Sequence, residues 1–257
     1  MIACFVARGL PVVGHQVEDS TEVLGINTRV DLAEVDALLR RRTVRDLMLS
    51  GVTIQRPETV LVDSGVCIGQ DTVLEPFVQV LGRTTLGAGC RIRSYSVVSD
   101  STLADDVVVQ PWSWVHDSRI DRGAQIGPYA RLRGGNHVEQ DARVGNFVEL
   151  KKTRLGKGSK ANHLAYLGDA TIGEGVNIGA GTITCNYDGS AKHPTVIEAG
   201  AFVGSNTTLV APLRIGPGAY LAAGSVVTED VEPGSLAIAR SRQTVKPGWA
   251  LRRKPHS

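Results

Sequence analysis

From Ile68 onward an aliphatic side chain returns at every sixth position of the chain. The series runs Ile68, Leu74, Val80, Leu86, Ile92, Val98, then Leu103, Val109, Val115, then Ile120, Ile126, Leu132, Val138, Val144, Leu150. It continues through Leu155, Ala161, Leu167, then Ile172, Ile178, Thr184, and after a break through Ile197, Val203, Leu209, Ile215, Leu221, Val227. Of these 27 positions, 25 are Val, Ile or Leu. The phase slips by one residue at 98 to 103, 115 to 120, 150 to 155 and 167 to 172, always after a multiple of three hexads. The repeating unit is therefore a coil of three hexapeptides, and there are about nine coils.

This period predicts an all-β solenoid. Each hexad supplies one short strand with one inward side chain, and three strands close a triangular prism. Aliphatic side chains then stack coil on coil. With coils about 4.8 Å apart, nine of them make a column of about 40 Å. Glycines cluster between the strands, as at Gly87-Ala88-Gly89 and Gly179-Ala180-Gly181, where tight corners need them. The repeat breaks at 185–196 (CNYDGSAKHPTV), and such an insertion maps to a loop projecting from one face.

Ahead of the repeat, Leu32, Val35, Leu38, Leu39, Leu47 and Met48 recur at helical spacing. The string DLAE predicts Asp31 as an N-cap with Glu34 three residues later, and Gly51 is placed as a C-terminal stop. One helix is expected over 31–50, capping the open end of the prism. Four segments follow: 1–30, a helical linker at 31–51, the solenoid at 52–231, and a Pro- and Gly-interrupted tail at 232–257 expected to be irregular.

Composition changes the picture only in part. Hydrophobic content is 42% and aromatic content 5%, so a large core must be filled by aliphatic side chains. The net charge of +2 is too balanced to make nucleic acid the main partner. Basic residues concentrate in the tail at Arg240, Arg242, Lys246, Arg252, Arg253 and Lys254. Cys4, Cys67, Cys90 and Cys185 form no C-x-x-C pair, which favours a reducing compartment over a disulfide scaffold. No stretch approaches 18 apolar residues, so no membrane span is expected and a cytoplasmic location is.

Longer strings carry more specific information. They are GPYARLR (127–133), VGNFVELKKTRLGKGSKANHLAYLGDATIG (144–173), VNIGAGTITCNYDG (176–189), FVGSN (202–206), APLRIGPGAYLAAGSVVTEDV (211–231) and SRQTVKPGW (241–249). Together they resemble the C-terminal acetyltransferase domain of the bacterial bifunctional N-acetylglucosamine-1-phosphate uridylyltransferase/glucosamine-1-phosphate N-acetyltransferase family. The string EVLGINTRVDLA (22–33) resembles the end of that family's uridylyltransferase domain. The Gly-rich nucleotide loop of that domain has no counterpart, so uridylyl transfer is not expected of this chain. Asn162 stands where the family usually has Gly, and Ala165 where Thr is common.

The resemblance implies a left-handed parallel β-helix that moves acetyl from acetyl-CoA to the amine of glucosamine 1-phosphate. That product feeds UDP-N-acetylglucosamine and cell-envelope synthesis. It also implies a homotrimer with active sites between subunits, no tightly bound cofactor and no metal. His163 becomes the general base, an imidazole that titrates near working pH. Arg133, Lys151, Tyr166, Asn177 and Lys192 become the sugar-phosphate site. Ala180, Asn186, Tyr187, Ser205, Ala223 and Arg240 become the acetyl-CoA site.

Three other readings stay open on the residues. One is a hexapeptide-repeat O-acetyltransferase acting on a sugar or serine hydroxyl. A second is a γ-type carbonic anhydrase, which needs three His ligands with two close in sequence; His116, His137, His163 and His193 are at least 21 residues apart. The third is a non-catalytic assembly piece of a split enzyme.

Overall fold

The computed structural model describes residues Met1 to Arg252. Arg253 and Lys254, part of the expected basic tail, lie outside the described residues. The chain forms a left-handed parallel β-helix of about ten turns. Three parallel sheets make its walls, with eleven, ten and nine strands. Strands are two to four residues long and each pairs only with its counterparts one coil below and above. All pairings are in phase: Leu74 stacks on Ile92, Ile92 on Val109, Val109 on Ile126. Every hexad position of the series is buried except Ile68, which is half-buried. Removing each Val, Leu or Ile side chain of this series from water contributes about 1.5–3 kcal/mol, so the column of aliphatic residues is the main source of stability.

The one polar hexad position, Thr184, is buried yet satisfied. Its hydroxyl accepts the Gly168 N–H at 2.8 Å and donates to the Gly168 carbonyl oxygen at 3.1 Å. Corner hydroxyls do similar service: Thr182 donates to the Gly179 oxygen at 2.7 Å and Thr207 to the Gly204 oxygen at 2.6 Å.

The solenoid begins ahead of the first hexad at Ile68, within the expected 52–231 segment, and runs past the C-terminal end of that segment. It starts at Thr53–Ile54 and Leu61–Val62, where a 3₁₀ turn at Pro57–Thr59 stretches the first corner beyond six residues. At the other end Leu236–Ala237 adds a strand beside Tyr220–Leu221, so the tail is not wholly irregular. A 3₁₀ turn at Ala250–Arg252 follows.

The helix runs Arg29–Leu49, and its N-cap is Thr28 rather than Asp31. The Thr28 hydroxyl accepts the Asp31 N–H at 3.1 Å, and the Asp31 carboxylate accepts the Thr28 N–H at 2.8 Å. Asp31 thus takes the third helical position of the capping box, because a hydroxyl three residues upstream completes both bonds. The C-terminal stop is as expected: Gly51 adopts φ +98°, and Val52 N–H reaches back to the Leu47 carbonyl at 3.1 Å. Only Val44 of this helix is buried, and it packs on the first coil. A groove of 810 Å³ lies between the helix and residues 57–61. Residues 1–30 hold a short helix at Ile2–Ala7 and a 3₁₀ turn at Ser20–Val23, neither of which the pattern indicates. Among the described residues, no helix is long and apolar enough to cross a membrane.

Candidate active site

The corner between the first and second sheets carries the most unusual chemistry of the molecule. Two residues past each inward residue of the first sheet, one column climbs the prism: Pro76, Ser94, Pro111, Pro128, Asn146, His163, Ala180, Ser205, Ala223. The next column holds Phe77, Tyr95, Trp112, Tyr129, Phe147, Leu164, Gly181, Asn206, Gly224, all with positive φ. Its five aromatic rings stack with centroids 4.9, 4.2, 6.4 and 5.3 Å apart. Both columns change character at His163. Below it the corner is closed by prolines and rings, and above it by small residues.

The upper part of the corner leaves donors free. The amide N–H groups of Ala180, Ser205 and Ala223 have no acceptor among the described residues. Lower in the same column the proline nitrogens carry no hydrogen, and the Ser94 N–H is taken by Glu75 at 3.1 Å. Three successive coils therefore present one amide each, about 4.8 Å apart. Glycine makes this possible: a Cβ at Gly179 would come within 2.5 Å of Ser205 N, and one at Gly204 within 2.5 Å of Ala223 N. Arg240 crosses the top of this corner, its Cδ 3.7 Å from where a Cβ of Gly224 would stand.

His163 closes the strand Lys160–His163 and is exposed. Its Nδ1 lies 2.6 Å from Asn146 Oδ1, one coil below. A cavity of 340 Å³ opens beside it, lined among others by Gln125, Arg143, Asn146 and Asn162.

Around the corner, the outer face of the second sheet gathers cationic side chains. Arg133 pairs in register with Lys151, and Lys151 with Gly168. Lys192 reaches the same place from the 185–196 insertion. Its contact with the Lys151 amine, and the repulsion between the two charges, hold Lys192 below the usual lysine range. Two ammonium groups held together in this way favour an anion between them. Gly168 makes room for the Tyr166 hydroxyl and the Asn186 amide: its Cβ would come within 2.6 Å of the first and 2.9 Å of the second. Asn186 in turn donates its amide to the Asp169 carboxylate. Arg133 is already partnered, by Glu149 at 2.9 Å, and this hydrogen bond and charge hold its guanidinium more firmly protonated.

The insertion is built to present Lys192. Asp188 accepts the N–H groups of Ser190 and Ala191, both at 2.7 Å, and lies 2.7 Å from His193 Nε2. The Ala191 N–H, His193 and the Ser190 N–H together hold the Asp188 carboxyl well below the usual carboxylate range. A carboxyl with a lowered folded value contributes fully above about pH 4 and fades as pH falls through that lowered value. The Tyr187 hydroxyl donates to the Gly189 oxygen at 2.6 Å, and Tyr187 bridges Lys192 across the loop. Asp188→Ala should release this loop and raise amide exchange at Ser190 and Ala191 by about tenfold at neutral pH. Unchanged exchange would mean that the loop holds without the carboxylate.

The expected residues thus fall into two groups in one chain. His163, Ala180, Ser205, Ala223 and Arg240 share the corner, while Arg133, Lys151, Tyr166, Asn186 and Lys192 meet on the second sheet or at its edge, with Tyr187 across the loop from Lys192. Asn177 is not brought to either group; it lies on the outer face of the first sheet between Lys160 and Phe202. Asn146, Glu149, Asp169 and Asp188 escape a reading of the sequence. The first three stand about one coil from the residues they touch, and only alignment by coil would reveal them. No group of three His, Cys, Asp or Glu side chains placed to hold a metal ion occurs among the described residues.

No family model matches the chain. It is 57% identical over 246 residues to the bifunctional protein GlmU of Solibacter usitatus, covering 96% of this chain and 53% of the relative. It is 55% identical over 243 residues to the same-named protein of Koribacter versatilis, covering 95% and 52%. A solved structure of Arabidopsis UDP-N-acetylglucosamine acyltransferase superposes with a TM-score of 0.54 at 18% identity, over 70% of each chain. Repeat, walls and corners define a hexapeptide-repeat left-handed β-helix protein. Within that class the chain is a homologue of the GlmU proteins and corresponds to their C-terminal half. It spans about half the length of the curated relatives it matches.

Proposed function

We propose that the chain transfers acetyl from acetyl-CoA to the amine of glucosamine 1-phosphate. The observation that carries this reading is the order of the corner column: one imidazole, then three unpartnered amides on successive coils, beside a cluster of cations. An extended pantetheine arm laid along the column would offer carbonyl oxygens to those amides, with its thioester next to His163. Arg240 and the tail then meet the nucleotide phosphates. Lys151, Lys192, Arg133 and Tyr166 take the sugar phosphate, by fork geometry from Arg and point charge from Lys. Asn177 would bind sugar from another subunit, since it stands apart from that cluster in its own chain. This is the reason for a homotrimer with sites between subunits. Residues 52–231 form the acetyltransferase unit, with 232–257 as its coenzyme-binding tail and 1–51 as its lead-in.

The chemistry follows from the placement. The neutral amine attacks the thioester carbonyl, forming a C–N bond while His163 Nε2 takes the proton the nitrogen sheds. The Ala180 amide donates to the oxyanion of the tetrahedral intermediate. Collapse breaks the C–S bond, and Ser205 assists the departing thiolate, which is protonated to CoA. Asn186 and Tyr187 orient amine and acetyl group. No step calls on a metal.

Product analysis tests the acceptor. Mass and NMR spectra of the product should show an amide at C2 and no ester. An O-acetyl product would replace this reading with hydroxyl acetylation. A second result concerns the tail: Arg240→Ala should raise the KM for acetyl-CoA by about three- to tenfold, and less so at high salt. An unchanged KM would remove Arg240 from the coenzyme site.

A further inference from the structure

Asn146 stands directly beneath His163 in the corner column, where the coil below has Pro128. The two are partners in the ladder, Asn146 to His163, at the ends of two four-residue strands, Arg143–Asn146 and Lys160–His163. Most first-sheet strands stop after two residues, so the ladder here is carried into the corner and holds both side chains side by side. Gly145 allows this, since a Cβ there would come within 1.9 Å of the Asn162 carbonyl oxygen. The contact itself is short and specific: Asn146 Oδ1 to His163 Nδ1 at 2.6 Å.

An amide oxygen only accepts, so the hydrogen in this contact sits on Nδ1. A neutral imidazole with Nδ1–H carries its lone pair on Nε2. The partner is uncharged, and Arg143 is the one charged side chain lining the adjoining cavity among the described residues. A carboxylate in this position would fix the same tautomer but would also stabilise the imidazolium, as in Ser-His-Asp triads. An amide fixes the tautomer without that charge.

We propose that Asn146 is a positioning residue that holds His163 as the Nδ1–H tautomer and aims its Nε2 lone pair at the acceptor amine. The assignment of a task to Nε2 rests on the acetyl-transfer reading; the tautomer does not. The contact orders a proton before substrate arrives, so its loss lowers kcat and leaves both KM values in place.

The test uses the whole chain with ¹⁵N-labelled histidine. In the unsubstituted protein and in Asn146→Asp, two-bond ¹H–¹⁵N spectra should show a protonated Nδ1 and an unprotonated Nε2 for His163. In Asn146→Leu the signals should move to a tautomer mixture, and kcat should fall by about five- to tenfold, the worth of one neutral hydrogen bond. Asn146→Asp should recover most of that kcat. Should Asn146→Leu disturb the corner, Asn146→Ser gives the same comparison with a side chain too short to hold the ring. A protonated Nε2 in the unsubstituted protein overturns the proposal, as does an Asn146→Leu variant with unaltered signals and kcat. Absence of acetyl transfer by the unsubstituted chain defeats the functional reading instead, and the nitrogen signals still decide the role of Asn146.

Discussion

Replacing His163 with Ala lowers kcat by about 10²- to 10⁴-fold, the usual worth of a positioned general base. His163 is exposed and contributes nothing to the aliphatic column, whose nearest member is Ala161. The β-helix should therefore survive, with far-ultraviolet circular dichroism and assembly unchanged. The KM for acetyl-CoA should stay close to its original value, because the three corner amides belong to other coils. Part of the activity should persist, since donors for the oxyanion and the phosphate cluster remain. A variant with near-normal kcat at neutral pH would show that another group accepts the proton.

Lys192→Ala should lower kcat/KM for glucosamine 1-phosphate by about 10- to 100-fold, with the KM for acetyl-CoA changed by less than about twofold. Removing one ammonium leaves Lys151 as the remaining ammonium, beside a guanidinium already shared with Glu149, against a phosphate that is close to dianionic. Arg133→Ala should act in the same direction but less strongly. The Arg133 guanidinium is shared with Glu149, so part of its charge is already neutralised before the phosphate arrives. Screening by salt should shrink both effects, as these side chains stand in solvent. Equal losses for the two substrates would contradict the division between cluster and corner.

The fold was largely legible because a period of six dictates one inward side chain per strand, whatever the residues between. The ends were less so. Ile54 and Val62 are eight residues apart, since the turn at Pro57–Thr59 takes up the difference, and the first coil therefore hides from a strict hexad. The N-cap was ambiguous for a chemical reason: Thr28-x-x-Asp31 and Asp31-x-x-Glu34 both suit a capping box. Only the geometry decides for Thr28.

The candidate site divides in the same way. His163, Lys151 and Ala180 sit in strings that resemble a known family, so they could be named. Asn146 and Asp169 lie in one of the same strings, but the resemblance implies no role for either, and each is 17 residues from the side chain it touches. That distance is one coil of this prism, and it becomes visible only when the chain is written coil beneath coil. The same alignment exposes the change at His163 from prolines and rings to small residues and open amides. Asn177 marks the opposite limit: resemblance joins it to the sugar site, while the fold of one chain places it on another wall.

The central claim is that one chain joins an acetyl-CoA groove to a phosphate-and-amine site. Thiol release from acetyl-CoA tests it most directly, measured with glucosamine 1-phosphate, glucosamine and glucose 1-phosphate as acceptors. Release should be rapid with glucosamine 1-phosphate, at least about tenfold slower with glucosamine, and not above background with glucose 1-phosphate. Equal rates for all three, or no release with glucosamine 1-phosphate, would contradict it.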